Sequence, residues 1–505
     1  MSISVAHPIA NGTNIRSLVR ALVPLLAGVG AYLIFLSIGE ILLRDSDTLW
    51  QIRIGQWIVE NGAMPYTDVH SFTRLGEPWM SSSWLSQVLY ALSYNSLGWA
   101  GPVILTSLAI GATVAIFMYL LDEHVDPARS IFLVTLAVLI SATHFLARPH
   151  MLAFPFMVAF LGGLMVAADR RSGPSWLLLP VLALWANLHG GFVLGLALIG
   201  PIGLEALWTA EARDRVALAV RWALFGIAAL AACCATPYGW DTLLGAAKIL
   251  SLGKLLILIW EWMPTNFGTW TFFEYSLLGL IGLAFHRGLT LSVPRIILVL
   301  GLTDMALAHA RNQEIFAFIV PLVLAKPFAE QLGTLLTGTA PAREGQPRSH
   351  VVMLAALAIT VTGWITTKAF VAHHPFSFLQ SQMPVAAVEV LQKRNAERIF
   401  STSPFGGYLM SRDIKAFIDG RAELYGEQFV IDYFDAVTAK DVDTLLRIFD
   451  KYRIDATLLT PSLPATKVMD HLAGWKRLYA DSIAVVHVRD EPPKAAGTLV
   501  PELRR

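Results

Sequence analysis

Three aspartates in one polar segment are the first residues whose type and spacing suggest chemistry. Asp45 and Asp47 stand directly after an apolar stretch, and Asp68 follows later, two residues before His70. Such carboxylates can bind a divalent cation such as Mg²⁺ or Mn²⁺, or act as a general base toward a hydroxyl acceptor. An isolated D-x-D is also common at a solvated helix end. Because two separated acidic sites share one segment, Asp45, Asp47 and Asp68 are the predicted catalytic residues. Asp45 and Asp47 are the candidate ligands if a metal is bound, and His70 is a candidate ligand, proton shuttle or substrate-binding group.

A second set of polar residues is basic and stands in short breaks between apolar stretches. Arginine presents a planar, permanently charged fork that suits phosphate, although a single arginine there could instead reach toward lipid headgroups. Two arginines together with histidines favour an anion-binding site. The candidates for phosphate binding are Arg148, His150, His189 and Arg311, and those for substrate binding besides His70 are Asn187, Asn312 and Glu261. Glu261 stands between two tryptophans, for which packing is the alternative interpretation.

The elements that must position these side chains are strongly apolar. The 505 residues are 55% hydrophobic and 15% charged, whereas soluble globular proteins carry about 25% charged residues. This composition excludes a cytosolic enzyme, a disordered scaffold and a nucleic-acid binder that works through a basic surface. Since each span needs about 20 apolar residues, the sequence predicts an α-helical polytopic membrane protein with about eleven transmembrane helices. They are predicted near residues 19–39, 102–121, 130–147, 151–168, 175–187, 191–208, 217–235, 273–286, 294–310, 313–328 and 351–371.

Charge divides the chain into two parts. Residues 1–375 carry 21 Lys and Arg and 20 Asp and Glu, while residues 376–505 carry 17 of each class in about a third of that length. We therefore predict a membrane domain over 1–375, with its first extracytoplasmic loop over 44–101. An α/β domain is predicted over 376–490 and a flexible tail over 491–505.

The C-terminal domain shows its own alternation of patterns. Helices are predicted over Pro384–Lys393 and Lys440–Lys451, and strands over Arg398–Ser401, Ala416–Ile418, Ala456–Leu459 and Ile483–Val488. The Gly406-Gly407-Tyr408 segment predicts an unusual turn, and Asp419-Gly420-Arg421 directly follows a predicted strand. Tyr408, Asp419 and Arg421 are therefore ligand-binding candidates, with a turn and a local ion pair as the alternative.

The placement of Lys and Arg predicts the orientation, because basic loop residues favour the cytoplasmic side. With a cytoplasmic N-terminus, thirteen basic residues fall inside and seven outside. An odd number of spans then places the C-terminal domain outside the cytoplasm, on the same side as the acidic and basic candidates, which predicts a shared site there. The first apolar stretch, closed by Glu40 and Arg44, is interpreted as a retained helix rather than a signal peptide.

The motifs resemble those of the GT-C superfamily of glycosyltransferases, which use polyprenyl-phosphate sugar donors. Asp45-Ser46-Asp47 matches the position of that class's first acidic motif, and Tyr66-Thr67-Asp68-Val69-His70 is similar to the D-V-H stretch of the protein O-mannosyltransferases. Over about residues 40–490, the chain more closely resembles a bacterial group of membrane glycosyltransferases of this class. The shared motifs are D-x-D-x-x-W, G-x-W-I…G-x-x-P-x-x-D-x-x-S-F, W-L, R-P-H, N-x-H-G-G, P-Y-G, R-N and G-G-Y-L…D-G-R.

This resemblance implies transfer of a sugar from a polyprenyl-phosphate carrier to an extracytoplasmic glycan, lipid or protein acceptor. Asp45 or Asp47 would deprotonate the acceptor in an inverting direct displacement, while Arg311, Arg148, His189 or a metal would neutralise the departing phosphate. No cofactor is certain, because a divalent metal is required in some branches of the class and dispensable in others. The chain departs from the O-mannosyltransferases in having D-S-D for D-E and Ser71-Phe72 in place of proline, which counts against a protein acceptor.

The implied location is the bacterial inner membrane, with the N-terminus cytoplasmic and the C-terminal domain periplasmic. The implied partners are the lipid-linked donor, the acceptor and membrane lipids, and no nucleic acid. A transporter or flippase of lipid-linked saccharides is the main alternative, and it predicts internal repeats and binding groups at the midplane, neither of which is clear in the sequence. A polymerase that joins saccharide units is a closer alternative.

Overall fold

The chain is mostly helical in the computed structural model, which describes residues 15–250, 262–333, 349–378 and 382–490. The helices are α1 (Ile15–Ser37), α2 (Asp47–Asn61), α3 (Trp84–Leu97), α4 (Ala100–Leu121), α5 (Pro127–Ser141), α6 (Pro149–Asp169), α7 (Leu178–Leu188), α8 (Phe192–Thr209), α9 (Arg215–Cys233), α10 (Asp241–Leu250), α11 (Phe272–Arg287), α12 (Val293–Ala308), α13 (Gln313–Leu332), α14 (Ser349–His373), α15 (Val385–Lys393), α16 (Ser403–Ser411), α17 (Ala422–Tyr425), α18 (Glu427–Val437), α19 (Val442–Tyr452) and α20 (Pro464–Met469). The strands are β1 (Ile399–Ser401), β2 (Ala456–Leu459), β3 (Trp475–Ala480) and β4 (Val485–Arg489).

Two compact units make up the protein, and each is assembled from separate stretches of the chain. Of the described residues, those within Met1–Leu42, Ser96–Leu243 and Ile257–Phe376 form the helical unit. The described residues within Leu43–Asn95, Leu244–Leu256 and Ser377–Arg505 form the mixed unit. Most of the segment that the sequence predicts as the first extracytoplasmic loop therefore folds in one unit with the predicted C-terminal domain.

Each of the eleven stretches predicted to span the membrane contains a helix. Within the described residues, seven helical segments are long and apolar enough to cross a bilayer. They are Ala100–Leu121, Pro127–His144, Pro149–Asp169, Phe192–Thr209, Arg215–Cys233, Ala310–Leu332 and Ser349–His373. The protein is thus a multi-pass membrane protein, as predicted. The predicted number of eleven spans is higher than the helix lengths support. Helix α7 has 11 residues and α11 and α12 have 16 each, fewer than the roughly 20 residues that cross a bilayer. The apolar part of α1, Ala21–Ser37, is also short.

Small residues bring the first helices of the helical unit together. A Cβ added at Gly28 in α1 would lie 2.6 Å from the carbonyl oxygen of Gly111 in α4, and one added at Gly111 would lie equally close to the carbonyl of Gly28. In membranes such small residues let helix backbones approach closely, because van der Waals contact replaces the hydrophobic effect as the source of attraction. The contact between α1 and α4 therefore depends on the absence of side chains at these two positions.

A buried arginine joins three other helices of the helical unit. Arg295 in α12 is 4% exposed and donates from Nε to Glu205 of α8 at 3.0 Å and from Nη2 to Asp169 of α6 at 2.7 Å. Its Nη1 donates to the carbonyl of Val323 in α13 at 2.9 Å. Because Pro327 has no N–H, that carbonyl lacks its usual helical partner four residues on, and Arg295 replaces it.

A four-stranded sheet in the order β1-β2-β4-β3 forms the centre of the C-terminal part of the mixed unit. Strands β1 and β2 are parallel, and the other pairs are antiparallel. Leu458 and Val486 lie opposite each other on one face and pack with Val388 and Leu391 of α15 and with Ile399. The predicted α/β domain is confirmed in its class, and its predicted helices and three of its four predicted strands coincide with observed elements.

Two local predictions in this domain are wrong. Ala416–Ile418 does not join the sheet: the N–H of Ala416 donates to the carbonyl of His70 at 3.0 Å, and the segment pairs with the first loop by an isolated bridge. The predicted turn at Gly406-Gly407-Tyr408 lies inside α16. These glycines are needed for space rather than for a turn, since a Cβ at Gly407 would lie 2.6 Å from the carbonyl oxygen of Ser46. Strand β3 was missed because its residues are half-exposed or exposed and show no apolar alternation.

Candidate active site

The two aspartates of the D-S-D motif form the beginning of α2 in the mixed unit. Helix α2 begins at Asp47, whose backbone N–H donates to Asp45 Oδ1 at 2.9 Å. The next residues, Thr48, Leu49 and Trp50, are buried and fix the helix by packing, whereas Asp45 and Asp47 are half-buried. Both carboxylates therefore sit on a rigid helix start and keep solvent-accessible surface, as a general base requires.

Asp68 has a different environment, because its carboxylate is enclosed. Its side chain is fully buried. Oδ1 accepts hydrogen bonds from His70 N at 3.1 Å and Arg421 Nη1 at 2.6 Å, while Oδ2 accepts from the backbone N–H and the hydroxyl of Ser71. Four donors occupy the carboxylate, so this aspartate fixes the loop around it and has no exposed surface for a substrate.

Arg421 connects this loop to the C-terminal part of the mixed unit. It has no exposed surface, and besides Asp68 it pairs with Asp419, whose Oδ2 also accepts from Tyr425 Oη at 2.8 Å. Burial alone would raise the pKa of Asp419, but the charge and hydrogen bonds of Arg421 outweigh it and hold the pKa below its usual value. The guanidinium also lies 4.8 Å from the centre of the Trp79 ring. The structure thus brings together Asp68, Asp419 and Arg421, which the sequence had placed in two separate candidate groups.

His70 and Glu423 lie beside this cluster and have perturbed pKa values. Burial, together with the positive charge of Arg421, lowers the pKa of His70 to about 4, so its imidazole is neutral at physiological pH. Burial raises the pKa of Glu423, whose Oε1 accepts a hydrogen bond from Trp79 Nε1 at 3.0 Å. A neutral His70 suits hydrogen bonding better than proton transfer near pH 7.

Tyr408 stands apart from these residues in its packing. It lies in α16, is half-buried, and packs against the sheet core around Leu409 and Val486. Burial raises the pKa of its hydroxyl. This environment is that of a tyrosine at the edge of a core, and its predicted role in ligand binding stays a prediction.

The predicted basic residues converge within the helical unit. The rings of His150 and His189 lie 6.2 Å apart, and Arg148 and Arg311 are close enough for their charges to act on His150. All four side chains are half-buried. We call Arg148, His150, His189 and Arg311 the basic cluster. Two arginines and two histidines at short range form a surface that suits an anion.

Hydrogen bonds fix the two imidazoles of the basic cluster. His150 Nε2 donates to the carbonyl of His144 at 3.1 Å, and His189 Nδ1 accepts from the N–H of Gly191 at 3.0 Å. A neutral His189 therefore carries its proton on Nε2 and can donate it to a ligand. The Gly190-Gly191 break between α7 and α8 sets this geometry.

Arg311 is held by an aromatic ring. Its guanidinium lies 4.7 Å from the centre of the Trp262 ring, and Trp262 in turn accepts a hydrogen bond at its carbonyl from His309 Nδ1 at 2.7 Å. Within the described residues, no carboxylate pairs with Arg311. Sequence reasoning missed His309, to which the H-x-R spacing at 309–311 could have drawn attention, and gave Trp262 only a packing role.

The remaining substrate-binding candidates serve the backbone or fall outside the described residues. Asn187 Nδ2 donates to the carbonyls of Ala183 at 2.8 Å and Ala235 at 2.9 Å. Asn312 Nδ2 donates to the carbonyl of Met305 at 3.1 Å. Glu261 lies outside the described residues. Both amides thus hydrogen-bond backbone carbonyls of the helical unit.

The candidates for metal binding are few. Asp45 and Asp47 supply two carboxylates, and in the part of the chain that the structure describes, no three His, Cys, Asp or Glu side chains group closely enough to hold an ion. Two carboxylates do not fill the coordination shell of a divalent cation, which needs further protein ligands, water or substrate oxygens. The pair alone therefore does not complete a metal site, and the metal site at Asp45 and Asp47 stays a prediction.

Comparison with known proteins shows the fold. No family model and no curated protein matches the chain. The structure is similar to the archaeal oligosaccharyltransferase AglB from Archaeoglobus fulgidus in complex with an inhibitory peptide and a dolichol-phosphate, with 12% identity, 88% of this chain and 69% of that chain covered, and a TM-score of 0.53. The apo form of this enzyme gives 12% identity, the same coverage and a TM-score of 0.54. The form tethered to an acceptor peptide containing the NVT sequon gives 13% identity, the same coverage and a TM-score of 0.51. At this identity the likeness shows the fold alone, and it confirms the GT-C fold expected from the motifs.

Proposed function

We propose that this protein is a membrane glycosyltransferase that transfers a sugar from a polyprenyl-phosphate carrier to an acceptor outside the cytoplasm. The observation that carries the proposal is the basic cluster in the helical unit. Arg311 contacts the Trp262 ring and, within the described residues, no carboxylate, so its charge is available to an anion. A polyprenyl phosphate joins that anion to an apolar tail, which suits a unit built of apolar helices of spanning length. The fold likeness supports the same donor class, since AglB has been solved with a dolichol-phosphate.

The basic cluster is assigned to the donor phosphate. Negative charge grows on the phosphate as its bond to the sugar breaks, and donors fixed in advance stabilise that charge without reorganising. Arg311 and Arg148 supply permanent charge, and His189 supplies an N–H at Nε2 whose direction is set by the bond from Gly191. Removing one such donor from a preorganised site typically lowers kcat by about 10²-fold to 10³-fold.

The aspartates of the D-S-D motif are assigned to the acceptor. The carboxylate of Asp45 or Asp47 takes the proton of an acceptor hydroxyl while the hydroxyl oxygen attacks the anomeric carbon of the donor sugar. The carbon–oxygen bond to phosphate breaks, its electron pair leaves with the polyprenyl phosphate, and the anomeric configuration inverts. Asp68 is assigned a supporting role, because its carboxylate is buried and accepts from Arg421 and Ser71.

The location follows from the same proposal. The seven span-length segments place the protein in a membrane, and the Lys and Arg bias of the loops supports a cytoplasmic N-terminus. We assign the protein to a bacterial inner membrane with the C-terminal domain outside the cytoplasm. The acceptor is then an extracytoplasmic glycan, lipid or protein.

Release of free polyprenyl phosphate from a panel of polyprenyl-phosphate sugars, by purified protein, is the test of this function. Asp45→Asn, Asp47→Asn and Arg311→Gln are each compared with the exposed controls Asp443→Asn and Arg287→Gln. Arg311→Gln and at least one aspartate variant are expected to lose about 10²-fold in kcat, because they remove the phosphate charge partner and the base. The controls are expected to keep wild-type turnover.

Two results would contradict the proposal. Full turnover in both aspartate variants would remove the assigned base. Transbilayer movement of the intact donor without any release of free lipid phosphate would identify a flippase, the alternative that the sequence left open.

A further inference from the structure

The central glycine of the Asp419-Gly420-Arg421 segment is held between two anchored neighbours in the mixed unit. Asp419 is 3% exposed and Arg421 is 0% exposed, and they bind each other, Asp68 and Tyr425. Gly420 itself is exposed. The backbone at Gly420 therefore has little freedom, although the residue lies at the surface.

Gly420 faces the predicted base directly. A Cβ added there would lie 2.7 Å from Asp47 Oδ1 and 2.8 Å from Trp50 Nε1. Its backbone φ is not in the left-handed region, so glycine is not needed for conformation. Glycine is needed here because a Cβ would overlap the ends of the Asp47 and Trp50 side chains.

A second glycine controls the residue before Asp47. A Cβ at Gly407 in α16 would lie 2.6 Å from the carbonyl oxygen of Ser46 and 3.4 Å from Trp50 Cδ1. The start of α2 thus rests on two glycines from the C-terminal part of the same unit. Trp50 is 7% exposed and its Nε1 has no hydrogen-bond partner among the described residues, so packing alone fixes the ring.

We propose that Gly420 is a positioning residue for Asp47: the buried pairs of Asp419 and Arg421 fix its backbone, and its missing side chain sets the orientation of the Asp47 carboxylate. Gly407 fixes the preceding peptide in the same way. The D-G-R and G-G motifs then act together on the D-S-D motif, rather than as separate ligand-binding turns. The consequence for catalysis rests on the proposed function, in which Asp47 is a candidate base.

Gly420→Ala is the informative variant, because the atoms it displaces belong to side chains. The Asp47 carboxylate must rotate away and the buried Trp50 ring must shift while the backbone keeps its course, so the fold is expected to survive with a lowered thermal unfolding midpoint. We expect kcat to fall at least tenfold with KM within twofold of wild type. Gly301→Ala is the matched control, since Gly301 is an exposed helical glycine whose added Cβ meets nothing within 4 Å.

Gly407→Ala supplies a readout that does not depend on activity. Its Cβ meets a backbone oxygen, so the peptide at Ser46 must shift, and amide hydrogen exchange over residues 46–52 is expected to rise above that of Gly301→Ala. If no donor supports turnover by wild type, the proposed function fails, and the exchange measurement still decides whether Gly407 positions the start of α2. Unchanged exchange in Gly407→Ala, or an active wild type whose kcat is kept in Gly420→Ala, would overturn the inference.

Discussion

At the scale of single residues, burial decides which of the polar side chains can meet a substrate. Asp47 and Asp68 are alike in the sequence, yet Asp47 is half-buried at a helix start while Asp68 is 1% exposed and fully hydrogen-bonded. His70 shows the same effect in its titration, because burial and the charge of Arg421 lower its pKa to about 4. A sequence motif gives the residue type, and the tertiary environment then sets its protonation state.

The pKa of His70 predicts a pH dependence of stability. The unfolded chain takes up a proton on this histidine near pH 6.5, while the folded chain does so only near pH 4. The contribution of His70 to the free energy of unfolding is therefore complete above about pH 6.5. It falls by about 1–3 kcal/mol as the pH is lowered toward 4. The groups whose charges act on His70 are Arg421, Asp68, Arg53 and Asp419.

His70→Gln is expected to flatten this part of the curve, measured by denaturant unfolding in detergent between pH 7 and pH 4. The exposed His471→Gln serves as the control and is expected to follow wild type. A His70→Gln curve that falls as steeply as wild type would show that burial of this imidazole does not govern acid stability.

At the scale of elements, the helices were largely predictable because long apolar stretches specify them locally. The ends of the helices and the pairing of extended segments were less predictable from the sequence. Ala416–Ile418 has an apolar pattern typical of a strand, but its backbone hydrogen bonds go to the first loop at His70 and Phe72. The partner strand decides whether an extended segment joins a sheet, and that partner is distant in the sequence.

Helix α13 receives a hydrogen bond from a side chain of α12 at the turn that its proline interrupts. Arg295 of α12 donates a hydrogen bond to the Val323 carbonyl, which has no helical N–H partner because residue 327 is proline. It also forms ion pairs with Glu205 and Asp169. Arg295→Met leaves two buried carboxylates and one buried carbonyl without this partner, so a loss of about 3–5 kcal/mol in unfolding free energy is expected. Denaturant unfolding in detergent measures it, with the exposed Arg287→Met as the control.

The carbonyl can be tested separately. Adding Pro327→Ala to Arg295→Met restores an N–H for Val323, and a recovery of about 1 kcal/mol is expected. If Arg295→Met behaves like Arg287→Met, the buried network has no role in holding the four helices together.

At the scale of the whole molecule, each compact unit combines stretches that are far apart in the chain. Asp68 and Arg421 are 353 positions apart, and they form a buried ion pair at 2.6 Å within the mixed unit. The sequence suggested a catalytic role for Asp68 and a ligand-binding role for Arg421, since their pairing with each other could not be known without the fold. Their pairing explains why a loop near the N-terminus and a domain at the C-terminus fold together.

Arg421→Met is expected to destabilise the mixed unit by about 3–5 kcal/mol, because it leaves the buried carboxylates of Asp68 and Asp419 without a cation. The triple variant Asp68→Asn, Asp419→Asn, Arg421→Met is expected to lose less than the single variant, since it removes the buried charges together. Exposed Arg447→Met, which breaks a surface pair with Asp441, is the control and should change stability by at most about 1 kcal/mol. A single variant as stable as this control would contradict the role assigned to Arg421.

The sequence by itself determined the membrane character, the positions of the apolar helices, the α/β class of the C-terminal domain and the residue types of the acidic and basic candidates. Hydrophobicity and charge are properties of short stretches of sequence, so they predict these features without knowledge of tertiary contacts. Only the tertiary structure decided that Asp68 is enclosed by Arg421, that the glycines at 407 and 420 make room for Ser46 and Asp47, and that Arg295 serves a proline-interrupted helix. Each of these depends on contact between residues distant in the chain, and contact at that range is fixed by packing rather than by local pattern.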